Sequence, residues 1–579
     1  MNGRSGLTTF FLFLFLAVLI LLQVLAMIQA DRLYDRLNVL LGRWATAASG
    51  RIAKDRQTHS KTTPDDEYPG DDGDWLIWRL DAEPATLCNI HTSAGMYCRY
   101  IVSGNIFESL LEYDPDKLTL RPLLAESYEV SADGLEISFL LRDDIYFSDG
   151  QPVTTDDVIF TYETIVNPKI DAASLANYYQ DVDRVVKINE RQVKFFMKKV
   201  YFKSLEILGG MEILPKHIYE FKDPEQFNKR ISNPVGSGPY VFEKWDVGRQ
   251  IVLSRDENYW GRKLKLKKIV YRFITNFTAA VQALRAGDAD YMRPLPDQYY
   301  ELSSDEEFKN NFRCLSYWHP AVGYFWMGWN QDRSFFKDRK VRLAMTHLVD
   351  REMICRQLLK VPEAKVPTGP FYIYGSQSNP EITPWPYDPE KAKQLLNEAG
   401  WIDTDGDGIR DKDGVAFRFK YMIGNLPLHE QLAKFLKDEA AKIGIEVTPD
   451  IYEWSVFIQR LQDRQFDAVN LAWHGGLEAD PYQIWHSSQI GNRGSNYVGF
   501  NNPEADAIIE QARQTLDRDK RNKLYHRFHK IIHEEQPYTF IYTRPEQRFL
   551  NKRFENVIIH KLGIDEHEWY VPKAKQRYK

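Results

Sequence analysis

Residues 124–163 read "LAESYEVSADGLEISFLLRDDIYFSDGQPVTTDDVIFTYE". Ile137, Phe139 and Leu141 alternate with Ser138, Leu140 and Arg142, a period of two that predicts a strand with one buried face. Asp149-Gly150 then marks a turn, because glycine after an acid tolerates the left-handed backbone that tight turns demand. Thr154 with Asp157 three positions later forms a capping box ahead of Val158, Ile159 and Tyr162, which predicts a helix start. Strand, turn and capped helix within forty residues predict a mixed α/β body.

Outward from this stretch, 579 residues exceed one ordinary hydrophobic core and predict two to four structural units. A hydrophobic content of 43%, with 13% aromatics, suffices for a packed globular body. The formal net charge of -6 provides no basic field, so nucleic acid and other polyanions are excluded as expected partners.

The N-terminal end departs from this composition. "FFLFLFLAVLILLQVLAMI", Phe10 to Ile28, is apolar apart from Gln23 and would span about 28 Å as a helix. It reads either as an uncleaved transmembrane anchor or as a signal peptide cut after Ala26 or Ala30, with Arg4 as its positive flank. Either reading exports the remaining chain to the periplasmic or extracytoplasmic side, the first tethered to the inner (cytoplasmic) membrane. Leu33, Leu37, Leu40, Leu41 and Trp44 recur at helical spacing, an amphipathic helix, and residues 45–73 are polar enough for a tether. The expected organisation is a membrane segment over 1–30, helix and tether over 31–73, and a folded body over 74–579.

Catalytic motifs are missing. The chain has no G-x-S-x-G elbow, no G-x-x-x-x-G-K-[ST] loop and no H-E-x-x-H. His526, His529 and His533 share a helical face at metal-like spacing, which an amphipathic helix explains as well. Four cysteines cannot supply the main stability, although Cys88 and Cys98 are close enough in sequence to bridge. "DTDGDGIRDKDG" puts Asp403, Asp405, Asp407 and Asp411 at places one, three, five and nine of a calcium loop. Gly414 stands where an EF-hand needs a bidentate glutamate, so a structural calcium site and a solvated acidic turn both stay open. No cofactor is required.

Residues 124–163 resemble the signature region of the family 5 extracellular solute-binding proteins, the peptide receptors of ABC importers. Three further blocks are similar to that family in the same order: "NPVGSGPYVFEKWDVGRQIVLSRDENYWG" (233–261), "FKDRKVRLAMTHLVDREMI" (336–354) and "YDPEKAKQLLNEAGWIDTDGDGIRDKDG" (387–414). The resemblance implies an α/β, two-lobed periplasmic-binding-protein-like fold of the cluster C type, with three structural domains. Lobe I is expected from 74–108, 216–315 and 546–579, an inserted domain from 109–215, and lobe II from 316–545.

The resemblance also implies an interlobe cleft. Tyr324, Trp326, Trp329 and Asn330, in "YWHPAVGYFWMGWN", are expected to line it, rings there offering broad contact at low entropic cost. "WHGGLEADPYQIWHSSQ" (473–489) lies where peptide-binding members carry W-x-x-D-x-x-[DE]-P, whose first acid meets the ligand's α-ammonium. Alignment on Pro481 puts Leu477 at that acid and leaves Glu478 or Asp480 to replace it. Trp473, Trp485 and Asn496, the last in "GSNYVGFNNPEADAII", complete the expected ligand set.

The expected function is capture of peptides or related solutes by hinge closure, with delivery to an ABC permease by a monomeric, non-enzymatic receptor. The alternative is a membrane-anchored sensory or chaperone-like ectodomain on the same fold. A hydrolase using Asp480 and His486 would be revealed by turnover of bound peptide.

Overall fold

The computed structural model describes residues 69–578 except 231, 492 and 493. The membrane segment, amphipathic helix and most of the tether expected over 1–73 lie outside the described residues. Among the described residues no helix is long and apolar enough to cross a membrane.

The quoted stretch folds as its pattern predicts. Ala125–Val130 and Glu136–Leu141 pair antiparallel, and Ile137, Phe139 and Leu141 are buried. Gly150 takes φ 89° in the turn. Helix Thr155–Val166 starts with the Thr154 and Asp157 side chains satisfying each other's backbone amides, the Thr154 amide donating to Asp157 Oδ2 at 2.8 Å. Gln192–Met197 and Val182–Lys187 extend these strands into a four-stranded antiparallel sheet.

Two larger sheets carry the rest. The seven-stranded sheet runs in the order Phe312–Tyr317, Glu546–Asn551, Tyr291–Met292, Trp75–Leu80, Lys268–Phe273, Gln250–Arg255, Tyr240–Asp246. The five-stranded sheet runs Glu446–Tyr452, Arg418–Gly424, Ala468–Trp473, Tyr324–Trp329, Tyr538–Tyr542. The chain therefore passes between the two sheets at 318–323 and at 543–545. The Thr543 hydroxyl donates to the Gly323 carbonyl at 2.7 Å, joining the two crossings. Gly323 is a close-approach glycine: a Cβ there would lie 1.4 Å from the Trp473 carbonyl oxygen.

Sheet faces follow the alternation of side chains. Tyr324 and Trp326 enter one core with Phe540, Tyr538 and Trp485, whereas Phe325, Met327 and Trp329 enter another with Phe336, Phe419 and Tyr421. Cys88 and Cys98 are buried free thiols, not a bridge, and burial raises both, Cys88 to about 11 and Cys98 to about 12. The His-rich helix Arg518–Glu535 does not gather a metal site. His529 and His533 are buried against Thr368, while His526 turns outward to the Ser376 carbonyl.

Candidate ligand-binding cleft

Strand direction fixes where a ligand can sit. Arg418–Gly424, Glu446–Tyr452 and Ala468–Trp473 are mutually parallel, and Trp473 pairs with Tyr324, the first strand residue after a crossing. Their carboxyl ends therefore face the side of the crossings. In the seven-stranded sheet Trp75–Leu80 is parallel to Lys268–Phe273 and to Tyr291–Met292, and the last is antiparallel to Glu546–Asn551, which begins at a crossing. Their carboxyl ends face the same side. Open α/β sheets take ligands outside the carboxyl ends of their strands, because the chain there is free to form loops.

The segments at these ends are 81–83, 274–276 and 293–295 from the seven-stranded sheet, and 425–426, 453–456 and 474–480 from the five-stranded one. They carry exposed apolar side chains among their charged ones. Leu295, Leu426, Trp454 and Val456 are all more than a third exposed, Trp454 at 55%. Trp454 stacks on Phe457 with ring centroids 5.4 Å apart and planes 12° from parallel, which fixes its plane.

The sequence-predicted residues divide into three groups. Trp473 is half-buried and stands in a stack of four rings, Tyr538, Trp326, Trp473 and Tyr497, with successive centroids 3.8, 6.0 and 5.9 Å apart. Trp326 is the fully enclosed second ring of this stack, and Tyr324, also buried, packs in the same core against Phe540 at 5.2 Å. These three come together.

Trp329, Asn330, Trp485 and Asn496 take core or loop-bracing positions instead, a correction to the expected ligand set. Trp329 projects from the opposite sheet face and donates from Nε1 to Thr539 Oγ1 at 3.1 Å. Asn330 donates to the Phe466 carbonyl at 2.8 Å and accepts the Asp332 amide. Trp485 is 1% exposed, enclosed by Phe500, Phe528, Tyr538 and Phe540. Asn496 closes a loop by bonding both ways to the Phe500 backbone at 2.7 and 2.9 Å.

Glu478 and Asp480 are already paired. Asp480 Oδ2 accepts from Tyr201 Oη at 2.7 Å and from Arg513 Nε at 2.9 Å, and Oδ1 accepts the Tyr482 amide at 3.1 Å. Glu478 receives Arg518 and Arg521, each at 2.7 Å. The Arg513 guanidinium also lies over the rings of Tyr201 and Tyr482, at 4.6 and 4.2 Å. Tyr201 belongs to the loop that follows the four-stranded sheet, and the adjacent Phe202 amide and Lys203 ammonium donate to the Arg513 and Glu478 carbonyls. The Asp480 carboxylate and the Glu478 backbone carbonyl thus bind the four-stranded unit to the five-stranded one, while the Glu478 carboxylate is held by helix Arg518–Glu535.

At the acidic loop, Asp403, Asp405 and Asp411 bring ligand oxygens within 4.8 Å of one another, whereas Asp407 pairs with Arg418 at 3.1 Å. Asp403 accepts the Gly406 and Gly408 amides, and Asp411 accepts the Thr404 amide at 2.8 Å.

A two-sheet body with double crossings and an apolar rim at the facing strand ends defines a cleft-type solute receptor. Comparison with known proteins gives the particular family. The model of the bacterial extracellular solute-binding proteins, family 5 Middle, matches residues 119–495, and the chain belongs to this family. The oligopeptide-binding protein AppA of Bacillus subtilis is 35% identical over 451 residues, 76% of this chain and 81% of AppA. The AppA structure with a nonapeptide superposes with TM-score 0.74 at 31% identity, covering 87% of this chain and all of that one. Heme-binding protein A of Haemophilus influenzae is 27% identical over 470 residues, 75% of this chain and 81% of that protein. NikZ from Campylobacter jejuni, in complex with Ni(L-His), superposes with TM-score 0.72 at 27% identity, covering 88% of this chain and all of NikZ.

Proposed function

We propose that this receptor captures peptides in the cleft between its two large sheets and delivers them to an ABC permease, acting as a binder and not as an enzyme. The observation that carries the reading is the exposed apolar rim of Leu295, Leu426, Trp454 and Val456 at the carboxyl ends of both sheets. A rim of this kind accepts varied side chains by area and shape, with little demand on their identity. The likeness to AppA supports it. Ordered strands from 75–80, 240–317 and 546–551 support lobe I, those from 125–197 the inserted domain, and those from 324–542 lobe II, with 318–323 and 543–545 as the hinge. The apolar run Phe10–Ile28 supports a tethered, extracytoplasmic receptor. Such a receptor works as a monomer and needs no metal, the acidic loop serving as a turn.

Native mass spectrometry of the full-length protein purified in detergent tests the reading. Peptide masses bound one to one are expected. Protein that carries no peptide and binds none from a random nonapeptide library overturns it. Retention in salt-washed membranes tests the tether, and release by salt alone contradicts it.

A further inference from the structure

Three guanidiniums gather where the second crossing enters the seven-stranded sheet. Arg544 lies on the crossing itself, Arg293 directly follows Tyr291–Met292, and Arg548 lies within Glu546–Asn551. Among the described residues one carboxylate lies within ion-pair range of them: Glu546 is 2.6 Å from Arg548 and 3.8 Å from Arg293, whereas Glu566 acts on Arg548 from farther off and burial raises its own pKa. Burial alone would raise Glu546, but Arg548, Arg293 and Arg544 outweigh it and hold the carboxyl down at about 2. The next acid, Asp81, accepts from Tyr97 at 2.8 Å and is offset by its neighbour Arg79, itself bonded to the Ile274 and Thr275 carbonyls. Positive charge remains in excess.

Arg544 holds that excess. It is half-buried, and among the described residues it has neither a hydrogen-bond nor an ion-pair partner. Burial, then repulsion from Arg293, pushes its pKa below the ordinary arginine value. The acids at the other end of the predicted ligand set show the reverse, since Asp480 and Glu478 are fully engaged by Arg513, Arg518 and Arg521. A ligand ammonium would have to displace one of these pairs. A ligand carboxylate would meet a planar, unpaired donor fork suited to two parallel hydrogen bonds.

We infer that the cleft recognises a carboxylate of its ligand through Arg544 and does not select for a free ammonium. This inference rests on the peptide-receptor reading above. The carboxylate comes either from the peptide's C-terminus or from an Asp or Glu side chain.

Calorimetric titration of the full-length protein in detergent, with random nonapeptide libraries, tests it. The libraries carry free ends, an N-acetyl group, a C-terminal amide, or an amide with Asp and Glu omitted. N-acetylation is expected to leave affinity unchanged. Loss of the carboxylate, by amidation alone or only when Asp and Glu are also omitted, should weaken binding about tenfold or more, and which change does so identifies its source. Arg544→Gln should bind all libraries equally weakly, and Arg544→Lys should recover part of the difference while both variants keep the wild-type melting temperature. Equal affinity of wild-type protein for free-ended and carboxylate-free libraries overturns this inference and leaves the receptor reading intact. Binding of no library overturns both.

Discussion

Tyr201 donates its hydroxyl to Asp480 Oδ2 at 2.7 Å across 279 positions of sequence. The bond ties the loop after the four-stranded sheet to the segment 473–489, which the sequence resemblance leads us to expect at a ligand's amino end. Asp480 acts here as an internal counter-charge for Arg513.

Asp480→Asn should therefore lower stability, by about 1–3 kcal/mol, because Arg513 loses its partner in a mostly buried setting. Affinity for peptide should stay within about twofold, since the altered charge faces Arg513. Chemical denaturation together with peptide titration checks both. A large loss of affinity at unchanged stability would return Asp480 to the ligand.

Leu426 and Trp454 give the complementary case. Both are exposed at strand ends, so Trp454→Ala should leave stability within about 0.5 kcal/mol. Peptide affinity should fall by about 1–2 kcal/mol, the value of the apolar area that the ring covers, with a smaller loss for Leu426→Ala. Unchanged affinity in both variants would remove this rim from the ligand contact.

Part of this organisation was legible in the sequence. The alternation of Ile137, Phe139 and Leu141, and the Thr154 and Asp157 pair, specify local structure through neighbours a few positions away, so pattern reading suffices. The same alternation puts Trp329 on the opposite face from Tyr324 and Trp326, a signal that was present and outweighed by the density of rings. Asp480 could not be read this way. Its partners Tyr201 and Arg513 are brought to it only by the docking of separate sheets, and no local spacing encodes that. Trp454 and Leu426 became candidates only once strand directions were known.

The crossing geometry makes a prediction about Gly323. Any side chain there collides with the Trp473 backbone, so Gly323→Ala should cost more than about 1 kcal/mol and shift the crossing. Urea denaturation reads the cost. Wild-type stability in this variant would contradict the close approach.

Stability should also depend on pH through the helix Arg518–Glu535. Burial pushes His529 and His533 from the ordinary 6.5 down to about 4, so both are neutral in the folded protein at neutral pH. The unfolded chain takes up these protons first. Their contribution is complete above about pH 6.5 and is lost as pH falls toward about 4, at on the order of 1 kcal/mol per pH unit for each group. His529→Gln should flatten the melting temperature against pH between 4 and 6.5. An unchanged profile would place the titrating groups elsewhere.

The proposed peptide site lies between the carboxyl ends of the two large sheets. Hydrogen–deuterium exchange of the full-length protein, with and without a bound nonapeptide, measures this directly. Protection is expected together at 425–426, 453–456 and 474–480 on one side and at 81–83 and 293–295 on the other, with slowed exchange at 318–323 and 543–545. Protection confined to one sheet, or lying outside these segments, would contradict it.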